Sequence, residues 1–277
     1  PGLAGRPNGR LVTTVDEVVA PARAQRTLTF DPNTQYLYSN TPYTYMNALV
    51  ERISGQPFAA FTTERIFRPL GMLHTQWRDD FTRVVRGRAL AYAPDDRGGF
   101  VQEMPFSNLH GSGALITTVD DLIRWTEALH ADRVGRPGLL AEMTRTGRLN
   151  DGRSLNYALG LTVGEYRGVR EVGHGGSTAG YRAHLVHYPD QRLTVAVQCN
   201  VASAGAAALA RAVAALWLGD ALGPERPAPA PVAMPAAQLE RRAGLYHDPV
   251  SHQVVRLAAR DGRLTGGGLT LVPAGGD

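Results

Sequence analysis

The chain has 277 residues, 43% of them apolar and 19% charged, with a net charge of +4; this supports a substantial core, and arginines interleaved with carboxylates, as in Arg78-Asp79-Asp80 and Asp95-Asp96-Arg97, exclude a basic nucleic-acid or polybasic membrane surface. All 29 residues of the Lys/Arg class are arginine, so chemistry that needs a lysine, Walker A phosphate binding included, is excluded within these residues. Cys199 is the single cysteine, which excludes an internal disulfide and a Cys-x-x-Cys pair, and its setting Val195-Ala196-Val197-Gln198-Cys199 reads as core strand.

In chain order, a helix is predicted from Thr14 to Ala24. Phe30-Asp31-Pro32-Asn33-Thr34 is a turn and delivers the chain into Tyr36-Leu37-Tyr38-Ser39-Asn40. A helix follows from Pro42 to Ser54, ended by Gly55, with Met46, Leu49, Val50 and Ile53 as its apolar stripe. A second runs from Pro57 to Phe67, closed by Pro69 and Gly71. Residues 77–112 read as a long irregular excursion. Thr118 caps a helix that opens Val119-Asp120-Asp121-Leu122, with carboxylates in its first turn, and reaches about His130. Another helix is expected over 137–146.

The pattern then changes to strands, at Tyr157–Glu165, Val169–Val172, Tyr181–Tyr188 and Leu193–Cys199, with turns at Gly168 and Asp190-Gln191. An alanine-rich helix over 203–218 closes this region. Its apolar run from Ala204 to Leu218 is shorter than the roughly 20 residues a spanning helix needs. Short turns between strands favour an antiparallel sheet with helices packed on it, an α/β fold of the α+β type. Three parts are expected: a domain over 1–220, a proline- and alanine-rich linker over 221–236, and over 237–277 the start of a small β-rich domain with strands at Val254–Ala258 and Leu269–Val272.

Four ordered segments carry a resemblance. Tyr38-Ser39-Asn40 precedes the helix ending Glu51-Arg52-Ile53-Ser54-Gly55. Arg65-Ile66-Phe67-Arg68-Pro69-Leu70-Gly71-Met72 follows. Gly111-Ser112-Gly113-Ala114-Leu115-Ile116-Thr117-Thr118 comes next, and Gly173-His174-Gly175-Gly176 leads into Tyr181 and a strand pair ending Gln198-Cys199-Asn200. Over about residues 25–220 this order resembles the serine β-lactamase-related superfamily of class C β-lactamases, D-alanyl-D-alanine carboxypeptidases and related esterases. The resemblance implies a β-lactamase/transpeptidase-like fold and acyl transfer to a serine on a Ser-x-x-Lys helix. With no lysine, that motif is not in this chain, and the expectation is a fragment truncated at both ends and inactive alone.

The chemistry accounts for the residue types. A serine hydroxyl is a weak nucleophile until a neighbouring group takes its proton. A tyrosine, with an unperturbed pKa of about 10, does so only beside positive charge or through a relay. The resemblance therefore implies that Tyr38 is the general base and acid, and that Asn40 hydrogen-bonds the lysine and a substrate amide. It places His174 where many members carry the lysine of Lys-Thr-Gly, so the charge offered to a substrate carboxylate becomes conditional on pH. Gly175 and Gly176 keep a strand edge clear for substrate backbone, and Ser177 gives its backbone N–H to the oxyanion hole. The substrate stays open among an ester, a D-amino-acid peptide and a β-lactam.

Other patterns fail on spacing. Gly175-Gly176-Ser177-Thr178-Ala179 lacks the last glycine and the strand-turn-helix context of a nucleophile elbow. His184 and His187 are an odd number apart on a strand and face opposite sides. No metal site or cofactor is expected, and His74, His110 and His130 read as packing or surface residues. The expected partner is a small-molecule or peptide substrate, with no nucleic acid; oligomeric state and compartment stay open. The rival reading is a noncatalytic protein that binds substrate or peptidoglycan in the same groove.

Overall fold

The computed structural model of the protein describes residues 14–225, 232, 234–247, 254–266 and 269–273. These fall into two compact units, one of residues 14–29, 39–148 and 152–223, the other of residues 30–38, 149–151 and those described from 224 to 273.

In the first unit a capping box starts α1 (Val15–Ala24). Thr14 Oγ1 accepts from the Glu17 N–H at 3.4 Å, and the Glu17 carboxylate accepts from the Thr14 N–H at 2.9 Å. α2 (Thr41–Ser54) has Pro42 in its first turn and ends on Gly55 in the left-handed region, φ 68°. Its buried residues are Thr44 and Asn47, not the apolar stripe: Met46, Leu49 and Ile53 are 54%, 46% and 77% exposed. Asn47 Nδ2 donates to His110 O at 3.1 Å, and Gly111, at φ +101°, lies so close that a Cβ there would meet Asn47 Cβ at 2.8 Å.

α3 (Phe58–Thr62) runs on as one π turn over Thr63–Phe67. β1 (Gln76–Trp77) leads into the excursion, which holds a small hairpin, β2 (Tyr92–Pro94) with β3 (Phe100–Gln102), before β4 (Leu115–Ile116) returns to pair with β1. Buried Arg78 fastens this loop by donating to Pro105 O and Ser107 O, both at 2.9 Å. α4 (Val119–His130) begins at Thr118, whose Oγ1 accepts from the Asp121 N–H. α5 (Leu139–Met143) is shorter than the expected 137–146.

β5 (Thr162–Tyr166), β6 (Val169–Thr178), β7 (Tyr181–Tyr188) and β8 (Leu193–Cys199) form one antiparallel sheet in that order. The first of these starts later than the sequence suggests, and β6 reaches six residues further because its glycines pair with β7. Cys199 is half-buried at the strand end rather than in the core. α6 (Ala206–Leu218) packs Ala210, Ala214 and Leu218 onto Val169, Val186, Tyr188 and Val195; the small alanines let the helix approach the sheet closely. Arg211 reaches from α6 to the Glu171 carboxylate, which also accepts from the Tyr188 hydroxyl at 3.3 Å. Burial, and then the Glu171 charge, push the Tyr188 phenol up.

His187 of β7 stacks its ring 3.9 Å from that of His130 and shares a hydrogen bond with Thr194 Oγ1 at 2.8 Å. Burial, helped by the His130 charge, lowers its pKa from 6.5 to about 4. The folded state thus resists a proton that the unfolded chain accepts. The stability this contributes is present above about pH 6.5 and is lost as pH falls toward 4. Urea midpoints measured at pH 7 and pH 5 should differ less in His187→Gln than in the parent; an equal difference would exclude His187 as the source.

The second unit carries α7 (Ala236–Arg242) and four antiparallel strands, β9 (Gly244–His247), β10 (Val254–Arg260), β11 (Arg263–Gly266) and β12 (Leu269–Leu271), ordered β12-β11-β10-β9. Leu239, Leu257 and Leu264 form its core. Asn150 belongs to this unit through bonds to Asn33 O at 2.8 Å and Pro32 O at 3.1 Å. Within the expected linker, residues 226–231 and 233 lie outside the described residues. Among the described residues no helix is long and apolar enough to cross a membrane.

Candidate active site

The second of the two separated motifs lies on β6. His174, Gly175, Gly176 and Ser177 are consecutive there, and from Gly175 onward the strand is exposed. Register decides which way its backbone faces. The Val163 N–H donates to Asn156 O, away from β6. Its neighbours Thr162 and Gly164 therefore bond β6, and their partners Gly173 and Glu171 turn toward β5. By alternation Gly175 and Ser177 turn their N–H and C=O groups to that same side, while His174, Gly176 and Thr178 bond β7. β5 begins at Thr162, opposite Gly173. Beyond that point, among the described residues, no strand of the sheet covers this side of β6.

The glycines divide by role. A Cβ on Gly173 would stand 2.4 Å from Leu185 O, so the sheet itself requires glycine there. On Gly175 and Gly176 a Cβ would meet neighbours at 3.5 Å, an ordinary contact. Packing within the sheet does not demand glycine at these two, and what they keep clear is the exposed surface.

His174 is held from both ring nitrogens. Nδ1 lies 2.6 Å from Gly175 O and Nε2 lies 3.0 Å from the Tyr157 hydroxyl, with the two rings edge to face at 5.9 Å. Tyr157 was legible in the sequence only as the start of a strand. Nothing in its spacing from His174 marks it, because the loop that returns it to β6 is set by tertiary contacts. Thr162 Oγ1 donates to Gly173 O at 2.7 Å and ties this loop to the same strand.

In the first motif, Asn40 stands at the N-cap of α2 with helical φ and ψ, and its carbonyl accepts from the Tyr43 and Thr44 N–H groups. The Asn40 side chain makes no capping bond; Ser39 Oγ accepts from the Thr41 N–H instead. Ser39 opens the Ser39–Arg148 segment of the first unit, whereas Tyr38 is the last residue of a segment grouped with the second, and is 48% exposed. Among the described residues no group of three or more His, Cys, Asp or Glu could hold a metal ion.

The D-aminopeptidase of Gluconobacter oxydans is 30% identical over 220 residues, 79% of this chain and 42% of the relative. That of Brucella anthropi is 29% identical over 178 residues, 64% of this chain and 34% of the relative. The chain thus spans well under half the length of these relatives. Among solved structures, the octameric penicillin-binding protein homologue from Pyrococcus abyssi superposes with a TM-score of 0.70 at 22% identity, covering 97% of this chain and 62% of that one. A D-stereospecific amidohydrolase from Streptomyces sp. gives 0.62 at 24% identity, covering 75% and 62%. Both share the fold predicted for residues 1–220. The sequence matches the Beta-lactamase family over residues 2–216, most of its length, and the chain belongs to that family.

Proposed function

We propose that this chain supplies the substrate-binding half of a serine hydrolase that cleaves amides or peptides of D-amino acids through an acyl-enzyme. The observation that carries this is the stretch of β6 past Gly173, exposed from Gly175, whose side away from β7 meets no further strand of its sheet among the described residues and can align an extended substrate. In this reading the Ser177 N–H donates to the developing oxyanion, worth typically about 3 kcal/mol of transition-state stabilisation. Asn40 holds the substrate amide, His174 with Gly175 and Gly176 forms the wall beside it, and Tyr38 carries the proton between nucleophile and leaving group. The names of the D-aminopeptidase and D-stereospecific amidohydrolase relatives support D-amino-acid substrates over esters and β-lactams.

The nucleophilic serine and its lysine lie, on this proposal, outside residues 1–277, which contain no lysine. The exposed apolar stripe of α2, Met46, Leu49 and Ile53, supports a further segment packed against it. The test is release of nitroaniline from the D- and L-alanine nitroanilides. Residues 1–277 alone should give no turnover, and the same residues extended upstream along the reading frame should cleave the D-isomer. Turnover by residues 1–277 that Ser39→Ala or Ser177→Ala abolishes would place the nucleophile in this chain. Tight binding of a D-peptide with no turnover by either protein would establish the noncatalytic reading.

A further inference from the structure

We propose that Tyr157 is the positioning residue for His174, and that the contact of Tyr43 with Gly160 carries Tyr157 into place; the role in catalysis, though not the positioning, rests on the reading just given. The Gly175 carbonyl can only accept, so His174 Nδ1, 2.6 Å away, bears a hydrogen. In the neutral ring Nε2 is then the lone-pair nitrogen, and the Tyr157 hydroxyl 3.0 Å from it donates. Gly175 and Tyr157 together select one tautomer and one ring orientation. The nitrogen that faces away from the β6 backbone is already engaged, so His174 takes part in substrate binding only in step with the Tyr157 hydroxyl.

Tyr157 is itself held at a distance in sequence. It opens a tight loop in which the Ala158 N–H donates to Leu161 O at 2.8 Å. Gly160 of that loop sits at φ +76°, and a Cβ there would stand 2.6 Å from Tyr43 Oη and 3.1 Å from its Cζ. The tip of Tyr43, in the first turn of α2, therefore lies directly against the Gly160 backbone. α2 is the helix that begins at Asn40. Within the first unit, one chain of contacts thus runs from the helix start carrying Asn40, through Tyr43, Gly160 and Tyr157, to His174 on β6. Any residue larger than glycine at 160 separates its two ends.

The test is the tautomer of His174 in residues 1–277, read from two-bond 1H–15N correlations of the histidine rings and assigned with His174→Gln. The parent should show the form with hydrogen on Nδ1. Tyr157→Phe, which keeps the ring but not the hydroxyl, should move the Nε2 nitrogen shift as that lone pair loses its donor, while Nδ1 keeps its hydrogen on Gly175 O. Gly160→Ala should do the same with Tyr157 intact, while the amide spectrum of the sheet stays folded in both. In the extended protein, Tyr157→Phe should lower kcat/KM on the D-alanine nitroanilide about tenfold, the value of one neutral hydrogen bond. An unchanged His174 Nε2 shift in Tyr157→Phe overturns the proposal. The ring measurement needs no turnover, so an inactive extended protein would fail the hydrolase reading and leave the positioning result standing.

Discussion

Tyr38→Phe, made in the protein extended to include its nucleophile, should lower kcat on the D-alanine nitroanilide by about 10²- to 10⁴-fold, the range for loss of a positioned acid–base group. The substitution removes one hydroxyl and keeps the ring. The ring stays, so stability should fall by no more than the value of one hydroxyl hydrogen bond, about 1 kcal/mol. Activity and stability are thereby separated in a single variant. The loss should fall on kcat more than on KM, because a proton carrier acts in the transition state rather than in binding. A kcat within a factor of about three of the parent would remove Tyr38 from the chemistry and make the Tyr-Ser-Asn segment a structural turn before α2.

Asp121→Ala should cost about 2 kcal/mol, the range for removing a buried acceptor from its donors, and lower the melting temperature by on the order of 5 °C. Asp121 is fully buried at the start of α4. Its Oδ2 accepts from the His74 N–H at 2.9 Å and the Thr75 hydroxyl at 2.8 Å, and Oδ1 accepts from Arg124 at 2.8 Å. Arg124 is half-exposed, so the ion pair itself is screened and adds little. The larger part comes from the His74 N–H left without this acceptor, since the Thr75 hydroxyl keeps Thr117 Oγ1 at 2.7 Å. The adjacent Asp120 is exposed, and Asp120→Ala should cost under about 0.5 kcal/mol, the loss of a favourable charge near a helix N-terminus. Thermal unfolding of the two variants decides the matter: equal losses would mean that the cross-link to residues 74 and 75 is not what holds this region.

Local chemistry made most of the elements of this chain legible. Thr14 with Glu17, Thr118 and Gly55 mark helix ends by hydrogen bonds made within a few residues, and β7 and β8 begin and end where alternation and turn residues put them. The order of four segments, from Tyr38-Ser39-Asn40 to Gly173-His174-Gly175-Gly176, is a property of the chain alone, and it was enough to point to the family. What no local pattern could supply is the choice among equivalent positions. Asp120 and Asp121 are alike as first-turn carboxylates, but only Asp121 meets residues 74 and 75. The stripe of Met46, Leu49 and Ile53 satisfies every rule for a buried helix face, yet it is exposed, and Asn47 of the same helix is buried where the loop at His110 and Gly111 closes over it. The glycines of β6 look interchangeable in sequence, and only the approach of Leu185 O makes Gly173 obligatory. Tyr157 became the partner of His174 through a loop seated on Tyr43. Burial and pairing are relations between distant segments, and a one-dimensional pattern records only what each segment is able to bury, not what arrives to cover it.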